Sequence, residues 1–351
     1  MKNKKRNLII ILTTVIALLL VLPFSLAALI YEDSFGERYE TYTPMSRSID
    51  EFKELNMQRF TFVSNNGQEL VGYQYFKNIE DAVGVVVIAH GLGGGGHNSY
   101  MDIADYFASN GYTVFAYDAT GNDESEGDSV NGIPQGLIDL DYAIRFVKET
   151  SDFANLPIML FGHSWGAYSA GSVLNYHPDV KAVVMVAGFN ESMDIIEEEV
   201  RRIAGDRINI LLPYVSLYER IRFREYAKHS SVQGFENSTA GVLIIHSADD
   251  EMISSEKSFD FFFNRYKNNP RFKFVQYKDR GHDGVWYADS ARVYREKLNE
   301  AFNMYLSSLE DEFTSEIKAD YLNKNLDKSL LFKLDEELMS NIVRFYDSFT
   351  K

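Results

Sequence analysis

Short apolar runs alternate with longer amphipathic stretches over most of the chain, and this pattern predicts an α/β protein. The apolar runs contain four or five residues without a polar interruption, as strands do when a sheet is covered by helices on both faces. We therefore expect an α/β fold with a mostly parallel central sheet flanked by helices. The predicted buried strands are residues 85–89, 158–161, 182–186 and 242–245, and helical patterns occupy residues 100–109, 136–149, 165–176 and 255–266.

A β-hairpin is predicted ahead of these units. Residues 58–63 and 70–76 have strand character, and Asn66-Gly67 lies between them. Asn-Gly favours the tight turn that joins two antiparallel strands. The sheet is therefore expected to begin with an antiparallel pair.

A serine with glycines on both sides follows the predicted strand 158–161. Gly162, Ser164 and Gly166 form the pattern G-x-S-x-G, and a helical segment follows them. At such a strand-to-helix turn the serine backbone is strained, and flanking side chains would collide with neighbouring backbone. The helix that begins beyond the serine also directs amide groups toward developing negative charge. Ser164 is the predicted nucleophile.

A serine hydroxyl needs a histidine base and a carboxylate that orients the base. If the order is serine, acid, histidine, four of the seven histidines come late enough: His177, His229, His246 and His282. His282 fits best because it lies in a polar, glycine-containing loop directly after the strand-like residues 272–277. Of the others, His177 suits a helix end, His229 a polar helix and His246 a buried strand.

The orienting acid is expected where the predicted strand 242–245 ends. Here the chain resembles the α/β-hydrolase superfamily, particularly its monoacylglycerol-lipase and serine-aminopeptidase-like branch, in which this strand ends H-G-x-x-D. Residues 246–250 match that pattern with Ser247 in place of the glycine, so the resemblance implies Asp250 as the triad acid. Asp249 stays an alternative, since a slip of one residue reverses the side-chain direction at a strand end.

A glycine-rich loop follows the predicted strand 85–89 and extends from His90 to His97. Glycines let the backbone approach a substrate and turn its N–H groups toward an anion. The predicted oxyanion-hole donors are the amides of Leu92 and Trp165. The alternatives are a flexible turn or a phosphate cradle, but the chain lacks the P-loop pattern G-x-x-x-x-G-K-[ST].

The segment 118–127 adds to the resemblance, because the superfamily branch has D-x-R-G-h-G-x-S-x-G there. Four positions of this chain match the pattern and three depart from it. The departures replace the arginine and a glycine of the pattern and add negative charge. The detailed substrate preference of the family therefore does not carry over. The matching residues are Asp118, Gly121, Ser125 and Gly127, and the departures are Thr120, Asn122 and Asp123.

The resemblance places the hydrolase domain at residues 57–306, with residues 31–56 as a linker before it. Residues 190–239 form a helical cap that roofs the active site in the family. Residues 307–351 are predicted to form a C-terminal helical tail, in which apolar residues three or four apart predict an amphipathic helix. We expect this helix to dock on the domain, and the alternative is a membrane-surface or partner-binding role, which its many acids disfavour. Six cap residues are candidates to line an acyl pocket or to pack on the sheet: Ile208, Ile210, Leu211, Leu212, Val215 and Leu217.

The N-terminus predicts a membrane anchor in residues 1–30. Four basic residues before position 7 precede an uncharged, mostly apolar span at residues 8–30, which would reach about 34 Å as a helix. Positive charges stay in the cytoplasm, so a single-pass protein would have its catalytic domain outside. The alternative is a signal peptide cleaved after Ser25-Leu26-Ala27, which would give a secreted enzyme.

Composition limits the partners and the chemistry. The formal net charge is −16, which argues against nucleic acid and polyanionic substrates. The chain has no cysteine, so disulfides, thiolate metal sites and a cysteine nucleophile are excluded. The sequence carries no signal for the oligomeric state.

These features predict an exported serine hydrolase that cleaves a small lipid-like carboxylic ester through an acyl-enzyme. Such chemistry needs no metal and no organic cofactor. One alternative is an aminopeptidase-like enzyme, which would need a cap carboxylate to bind an N-terminal ammonium group. A second is a hydrolase-like domain that binds a ligand without catalysis. The cap acids available to an aminopeptidase are Glu197, Glu198, Glu199 and Asp206.

Overall fold

The computed structural model describes residues 2–205, 209–309 and 314–350. Its centre is an eight-stranded sheet in the order β1-β2-β4-β3-β5-β6-β7-β8. β2 is antiparallel to β1 and β4, and all other neighbours are parallel, which confirms the predicted sheet and its hairpin. The strands are β1 Asn56–Val63, β2 Glu69–Phe76, β3 Val85–Ala89, β4 Thr113–Tyr117, β5 Ile158–His163, β6 Ala182–Val186, β7 Gly241–Ser247 and β8 Phe272–Tyr277.

Helices cover both faces of the sheet. Short 3₁₀ turns connect several of them. The α-helices are α1 Lys2–Ser34, α2 Met101–Ser109, α3 Ile133–Glu149, α4 Trp165–Ser172, α5 Ser192–Ala204, α6 Leu212–Phe223, α7 Ser231–Asn237, α8 Phe259–Tyr266, α9 Asp289–Ser307, α10 Ser315–Asn325, α11 Lys328–Leu331 and α12 Glu336–Asp347. In sequence, α1 precedes the first strand and α9 to α12 follow the last one.

The central strands are apolar along their whole length because helices cover both of their sides. Every residue of β3, β4, β5, β6 and β7 is buried. Alternate side chains enter two separate hydrophobic clusters, one on each face of the sheet. A polar substitution at any position of these strands would therefore place a polar group in one of the two clusters.

The amphipathic tail packs on the sheet through α12. Leu338, Ile342 and Tyr346 lie on one face of this helix and are buried in one of the two clusters. The Tyr346 hydroxyl donates a hydrogen bond of 2.8 Å to the Leu160 carbonyl in β5. The tail is therefore part of the hydrophobic core.

One helix in the described part of the chain, α1, is long and apolar enough to cross a membrane. Its exposed large apolar side chains include Ile9, Ile10, Ile11, Leu12, Ile16, Leu18, Leu19, Leu20 and Leu22. Its last turns behave differently, because Ala27 and Tyr31 are buried against the folded domain. The same 33-residue helix therefore has an exposed apolar part and a packed part.

The residues that follow α1 also pack on the domain. The Arg38 guanidinium donates to the carbonyl oxygens of Asp123 and Ser125, and Tyr39 forms a β-bridge with Asn122. The segment assigned to a linker thus runs along the loop that follows β4.

The sheet brings the candidate catalytic residues to one edge. Parallel strands present their carboxyl ends on the same side, where α/β proteins bind ligands. Leu92 follows β3, Ser164 follows β5, Asp250 follows β7 and His282 follows β8. Residues far apart in sequence therefore lie close together.

Candidate active site

Ser164 lies on a sharp turn between β5 and α4, with φ +53° and ψ −114°. This conformation is strained for a residue with a side chain. A Cβ on Gly162 would lie 2.3 Å from the Gly166 carbonyl oxygen, and one on Gly166 would lie 2.0 Å from the Ala89 carbonyl oxygen. Both glycines are thus required by close backbone packing.

Ser164, His282 and Asp250 form one hydrogen-bonded chain. His282 Nε2 is 2.9 Å from Ser164 Oγ. On the other side of the ring, His282 Nδ1 is 2.8 Å from Asp250 Oδ2 and 3.0 Å from Oδ1. This is the order of contacts that a serine nucleophile, a general base and an orienting acid require.

Asp249 makes different contacts from its neighbour Asp250. Its Oδ1 accepts hydrogen bonds from the Ser247 hydroxyl at 2.5 Å and the Gly281 amide at 2.9 Å. Asp250 also accepts from the amides of Met252 and Ile253, which fixes the carboxylate beneath the imidazole. Asp249 therefore supports the loop that carries His282, while Asp250 contacts the ring.

The electrostatics of the pair favour an ionised acid. Burial raises the pKa of Asp250, but the hydrogen bond and charge of His282 outweigh burial, so this pKa lies below its ordinary value. For His282, burial lowers the pKa, whereas the Asp250 hydrogen bond and charge, with Asp283 and Glu251 nearby, leave the pKa above its ordinary value. An imidazole next to a carboxylate is a stronger base than a free one.

The two predicted amide donors belong to residues of the cavity that contains Ser164. Trp165 is the first residue of α4, so its N–H has no partner within the helix. The Leu92 amide donates to no acceptor within residues 2–205, 209–309 and 314–350. Both residues line the cavity that contains Ser164, so both amides are available to a ligand.

His90 fixes the loop that carries Leu92. The Ala119 amide donates to His90 Nε2 at 3.0 Å, so the ring proton lies on Nδ1, which donates to the Gly91 carbonyl at 2.8 Å. Burial is the main reason why the pKa of His90 is lowered, which keeps the ring neutral. A neutral ring can serve as acceptor and donor at once.

Another histidine, His163, connects three parts of the site. The sequence patterns do not predict this connection. The Gly91 amide donates to the Tyr100 hydroxyl oxygen at 2.9 Å. Tyr100 and His163 Nδ1 are 2.9 Å apart, and His163 Nε2 is 3.2 Å from the His282 carbonyl oxygen. Because a carbonyl only accepts, Nε2 carries the proton and Tyr100 donates to Nδ1.

This relay of hydrogen bonds joins the glycine-rich loop, the end of β5 just before Ser164 and the loop that carries His282. Burial, and then the proximity of His282, hold the pKa of His163 well below its ordinary value. Together with Asp283, the two imidazoles also form a cluster that could ligate a metal. Each of their four ring nitrogens already has a hydrogen-bond partner, so we assign the cluster to the relay.

The departures in the loop after β4 have structural partners. Asp123 accepts hydrogen bonds from the Gly96 amide at 2.7 Å and from the Thr41 amide and hydroxyl at 2.5 and 2.6 Å. Thr120 hydrogen-bonds to the buried Asp139. The added acid thus ties the glycine-rich loop to the segment after α1, a role that no local sequence pattern signals.

Comparison with known proteins supports the fold described above. The family profile described as "Serine aminopeptidase, S33" matches residues 80–225. An esterase from Pyrococcus furiosus has a similar structure, with a TM-score of 0.55 at 14% identity over 85% of this chain and 94% of that chain. The chain has the α/β-hydrolase fold.

Two further solved structures share the fold of this α/β-hydrolase. Est1E from Butyrivibrio proteoclasticus, solved with bound ferulic acid, gives a TM-score of 0.51 at 19% identity over 71% of this chain and all (100%) of that chain. An acetyl xylan esterase from a Paenibacillus species gives 0.52 at 16% identity, over 73% and 86% of the two chains. No curated protein sequence matches the chain significantly.

Two cavities meet at the edge of the sheet that carries the candidate catalytic residues. The larger, about 520 Å³, contains Ser164 and His282 and has a mainly apolar lining. The smaller, about 260 Å³, is lined by more polar residues, including Arg47, Asp102 and Arg295. Both cavities share four lining residues: Gly91, Leu92, His163 and Asp283.

The six apolar cap candidates have different surroundings. Of the six candidates, Val215 lines the larger cavity, Ile210 and Leu217 are exposed, and Ile208 lies outside the described residues. Other cap residues that line it belong to α5. They are Ile195, Ile196, Glu199 and Val200.

The four cap acids have different surroundings. Glu197 pairs with Lys257 at 2.8 Å, and Glu198 accepts from the Ser254 amide. Glu199 lines the larger cavity but pairs with Arg202. Asp206 lies outside the described residues. Glu199 is therefore the one acid of the described three that reaches the cavity.

Proposed function

We propose that this α/β-hydrolase is a serine hydrolase that cleaves a carboxylic ester. The observation that carries the proposal is the hydrogen-bonded chain of Asp250, His282 and Ser164 at the wall of an apolar cavity. The amides of Leu92 and Trp165 face the same cavity as candidate oxyanion donors. Together these groups have the roles that acyl transfer needs.

In the first half of the reaction, Ser164 Oγ attacks the ester carbonyl carbon and forms a C–O bond. Its proton passes to His282 Nε2, and the carbonyl electron pair becomes an oxyanion between the two amides. The bond to the alcohol oxygen then breaks, and that oxygen takes the proton from His282. The alcohol leaves, and the acyl group stays on Ser164.

In the second half, a water molecule gives a proton to His282 as its oxygen attacks the acyl carbon. The bond to Ser164 Oγ breaks, and the serine recovers the proton. Asp250 stays ionised throughout, holds the imidazole in the productive tautomer and stabilises the imidazolium. The products are a carboxylic acid and an alcohol.

The two cavities suggest how an ester would bind. The larger cavity suits an acyl chain, because its lining is mainly apolar. The smaller cavity offers charged and hydroxyl groups beside the shared residue Leu92, which suits a polar alcohol portion. A lipid-like ester combines these features.

A panel of p-nitrophenyl esters and aminoacyl-p-nitroanilides tests the substrate class. We expect turnover of the esters, with preference for acyl chains longer than acetyl, and little turnover of the anilides. The reverse preference would refute ester hydrolysis as the function. Ser164→Ala should abolish turnover and control for contaminating hydrolases.

The second candidate is a serine peptidase that removes residues from small peptides. The match to the serine aminopeptidase profile favours it, and so does Glu199 in the cavity wall, since a carboxylate could bind an N-terminal ammonium group. The ion pair between Glu199 and Arg202 reduces this availability. Hydrolysis of the anilides that is lost in Glu199→Gln would favour the peptidase.

We also propose that α1 is an uncleaved membrane anchor with the catalytic domain outside the cell. The burial of Ala27 supports this, because cleavage after it would separate a packed residue from the domain. Protein extracted from membranes should retain its N-terminal residues in intact-mass spectrometry. A mature N-terminus at residue 28 would identify a signal peptide instead.

A further inference from the structure

The last turns of α1 form part of the wall of the larger cavity. Ile30, Tyr31, Ser34 and Phe35 line this cavity together with Ser164 and His282. Ile30 and Ser34 are also exposed, as is Met252 on another part of the lining. Residues that are both cavity-lining and exposed mark the rim, so the end of the N-terminal helix forms one side of the cavity mouth, and Met252 and the exposed Asp283 form another.

Specific contacts hold this part of α1 against the cap. The Tyr31 hydroxyl donates a buried hydrogen bond of 2.6 Å to Glu219 in α6, and the Ser192 hydroxyl donates to the same carboxylate at 2.7 Å. Burial raises the pKa of Glu219 to about 7 despite these two donors. Glu32 adds an ion pair with Arg222.

The body of the protein leaves room for the helix. A Cβ on Gly132 would lie 2.1 Å from the Tyr31 hydroxyl. Phe24 and Tyr31 both contact the Tyr218 ring in α6. The end of α1 is therefore fitted into the domain, which an independent anchor on a flexible tether would not require.

The geometry of α1 places the cavity mouth at the boundary of a bilayer. Residues 8–30 would extend about 34 Å, slightly more than the hydrocarbon core of about 30 Å. The helix continues without interruption to Ser34, only about 6 Å beyond Ile30 along the axis. The apolar span thus ends where the cavity wall begins.

Exposed apolar side chains occur on both helices of this contact. On α1, Leu26 and Leu29 are 49% and 68% exposed, and on α6, Leu217 and Ile221 are 48% and 60% exposed. Large apolar side chains near a membrane helix are expected to enter the lipid interface. This favours a cap that rests on the bilayer.

We propose that the larger cavity opens to the bilayer and that the substrate is a lipid ester which enters from the membrane that holds α1. The inference rests on the proposed ester hydrolysis and on the anchor. The acyl chain passes over Ile30 and Ser34 without crossing water, and the released fatty acid returns by the same route. Esters dissolved in water reach Ser164 without this advantage.

The test uses the full-length protein in phosphatidylcholine vesicles with two fluorogenic esters. 4-Methylumbelliferyl acetate is water-soluble and reports the chemical step, whereas the oleate stays in lipid. We expect oleate in the protein's own vesicles to be hydrolysed at least ten times faster than oleate in added protein-free vesicles. Equal oleate rates, with acetate still cleaved, would overturn bilayer entry.

The acetate reaction separates this inference from the proposed function. If the wild-type protein does not hydrolyse the acetate, the proposed ester hydrolysis is refuted, and so is the bilayer route that rests on it. Acetate turnover without any oleate turnover would refute the lipid substrate alone. Each result therefore bears on one of the two claims.

Two substitutions at neighbouring positions of α1 test whether this helix lines the route of the substrate. Ser34 lines the cavity, while Asp33 is exposed and outside its lining. Ser34→Trp should lower the ratio of oleate to acetate turnover at least fivefold, because the indole narrows the mouth. Asp33→Trp is the matched control and should leave this ratio unchanged. An equal change of the ratio in both variants, or no change in either, would contradict the proposed route.

Discussion

Asp249 and Asp250 are neighbours in sequence with separate contacts, and this separation gives a sharp test of the triad. Asp250→Asn keeps the shape of the residue but favours the wrong tautomer of His282. We expect kcat to fall by about 10⁴-fold. Asp249→Asn should keep most of the activity, because its partners are Ser247 and Gly281. The opposite result in steady-state kinetics would move the acid by one residue.

Tyr100 should act as a positioning residue. Tyr100→Phe leaves the Gly91 amide and His163 Nδ1 without their common partner, and unpaired buried polar groups cost about 1–3 kcal/mol each. We expect kcat to fall about tenfold, with little change in KM for a small ester, because the oxyanion loop and the base loop lose their link. Tyr106→Phe, in helix α2 directly after Tyr100, is the control. If kcat is unchanged in Tyr100→Phe, the relay has no catalytic role.

The pH profile should report His282. The base must be neutral, so kcat/KM falls as the pH drops through the pKa of His282, which the Asp250 contact leaves above its ordinary value despite burial. The charge of Glu251 contributes to this rise. Glu251→Gln should therefore shift the acid limb to lower pH by a few tenths of a pH unit. A shift to higher pH would contradict the assignment.

Among single residues, those in local motifs could be predicted and those in long-range contacts could not. Ser164 and His282 follow strand-like runs in a recognisable order, so their proximity follows from parallel topology. The choice of Asp250 over Asp249 needed the resemblance to a family, because strand-end direction is not encoded locally. The role of His163 depends on Tyr100, 63 residues away, and no spacing rule connects them.

At the scale of elements, the C-terminal helix shows what periodicity can establish. Apolar residues three or four apart predicted an amphipathic helix, and α12 buries that face in the core. The tyrosine hydroxyl that bonds to β5 was not predictable, since it depends on which surface the helix covers. Periodicity identifies the face of a helix but not its partner.

This packing predicts a stability effect at Ile342. Ile342→Ala removes a fully buried side chain and should lower the free energy of unfolding by about 3 kcal/mol. Asn341→Ala, an exposed change on the same helix, should cost less than about 0.5 kcal/mol. Chemical denaturation of both variants measures the difference. Equal stabilities would mean that α12 is not part of the cooperative core.

At the scale of the whole molecule, the relation between the N-terminal helix and the cavity is the main feature that the sequence concealed. Residues 8–30 predict a span from composition alone, and nothing in residues 31–56 predicts a contact with the cavity wall. In the structure, Tyr31 contacts Glu219, 188 positions later. Cavity walls built from distant segments follow from tertiary packing, so hydropathy and motifs do not reveal them.

The central claim is that Ser164 is the nucleophile of this α/β-hydrolase. It is tested most directly by treating the full-length protein with a fluorophosphonate and locating the label by peptide mass spectrometry. We predict one label on Ser164, which is lost in Ser164→Ala and kept in Ser99→Ala, a serine of the neighbouring polar cavity. An unlabelled wild-type protein, or a label that persists in Ser164→Ala, would contradict the claim.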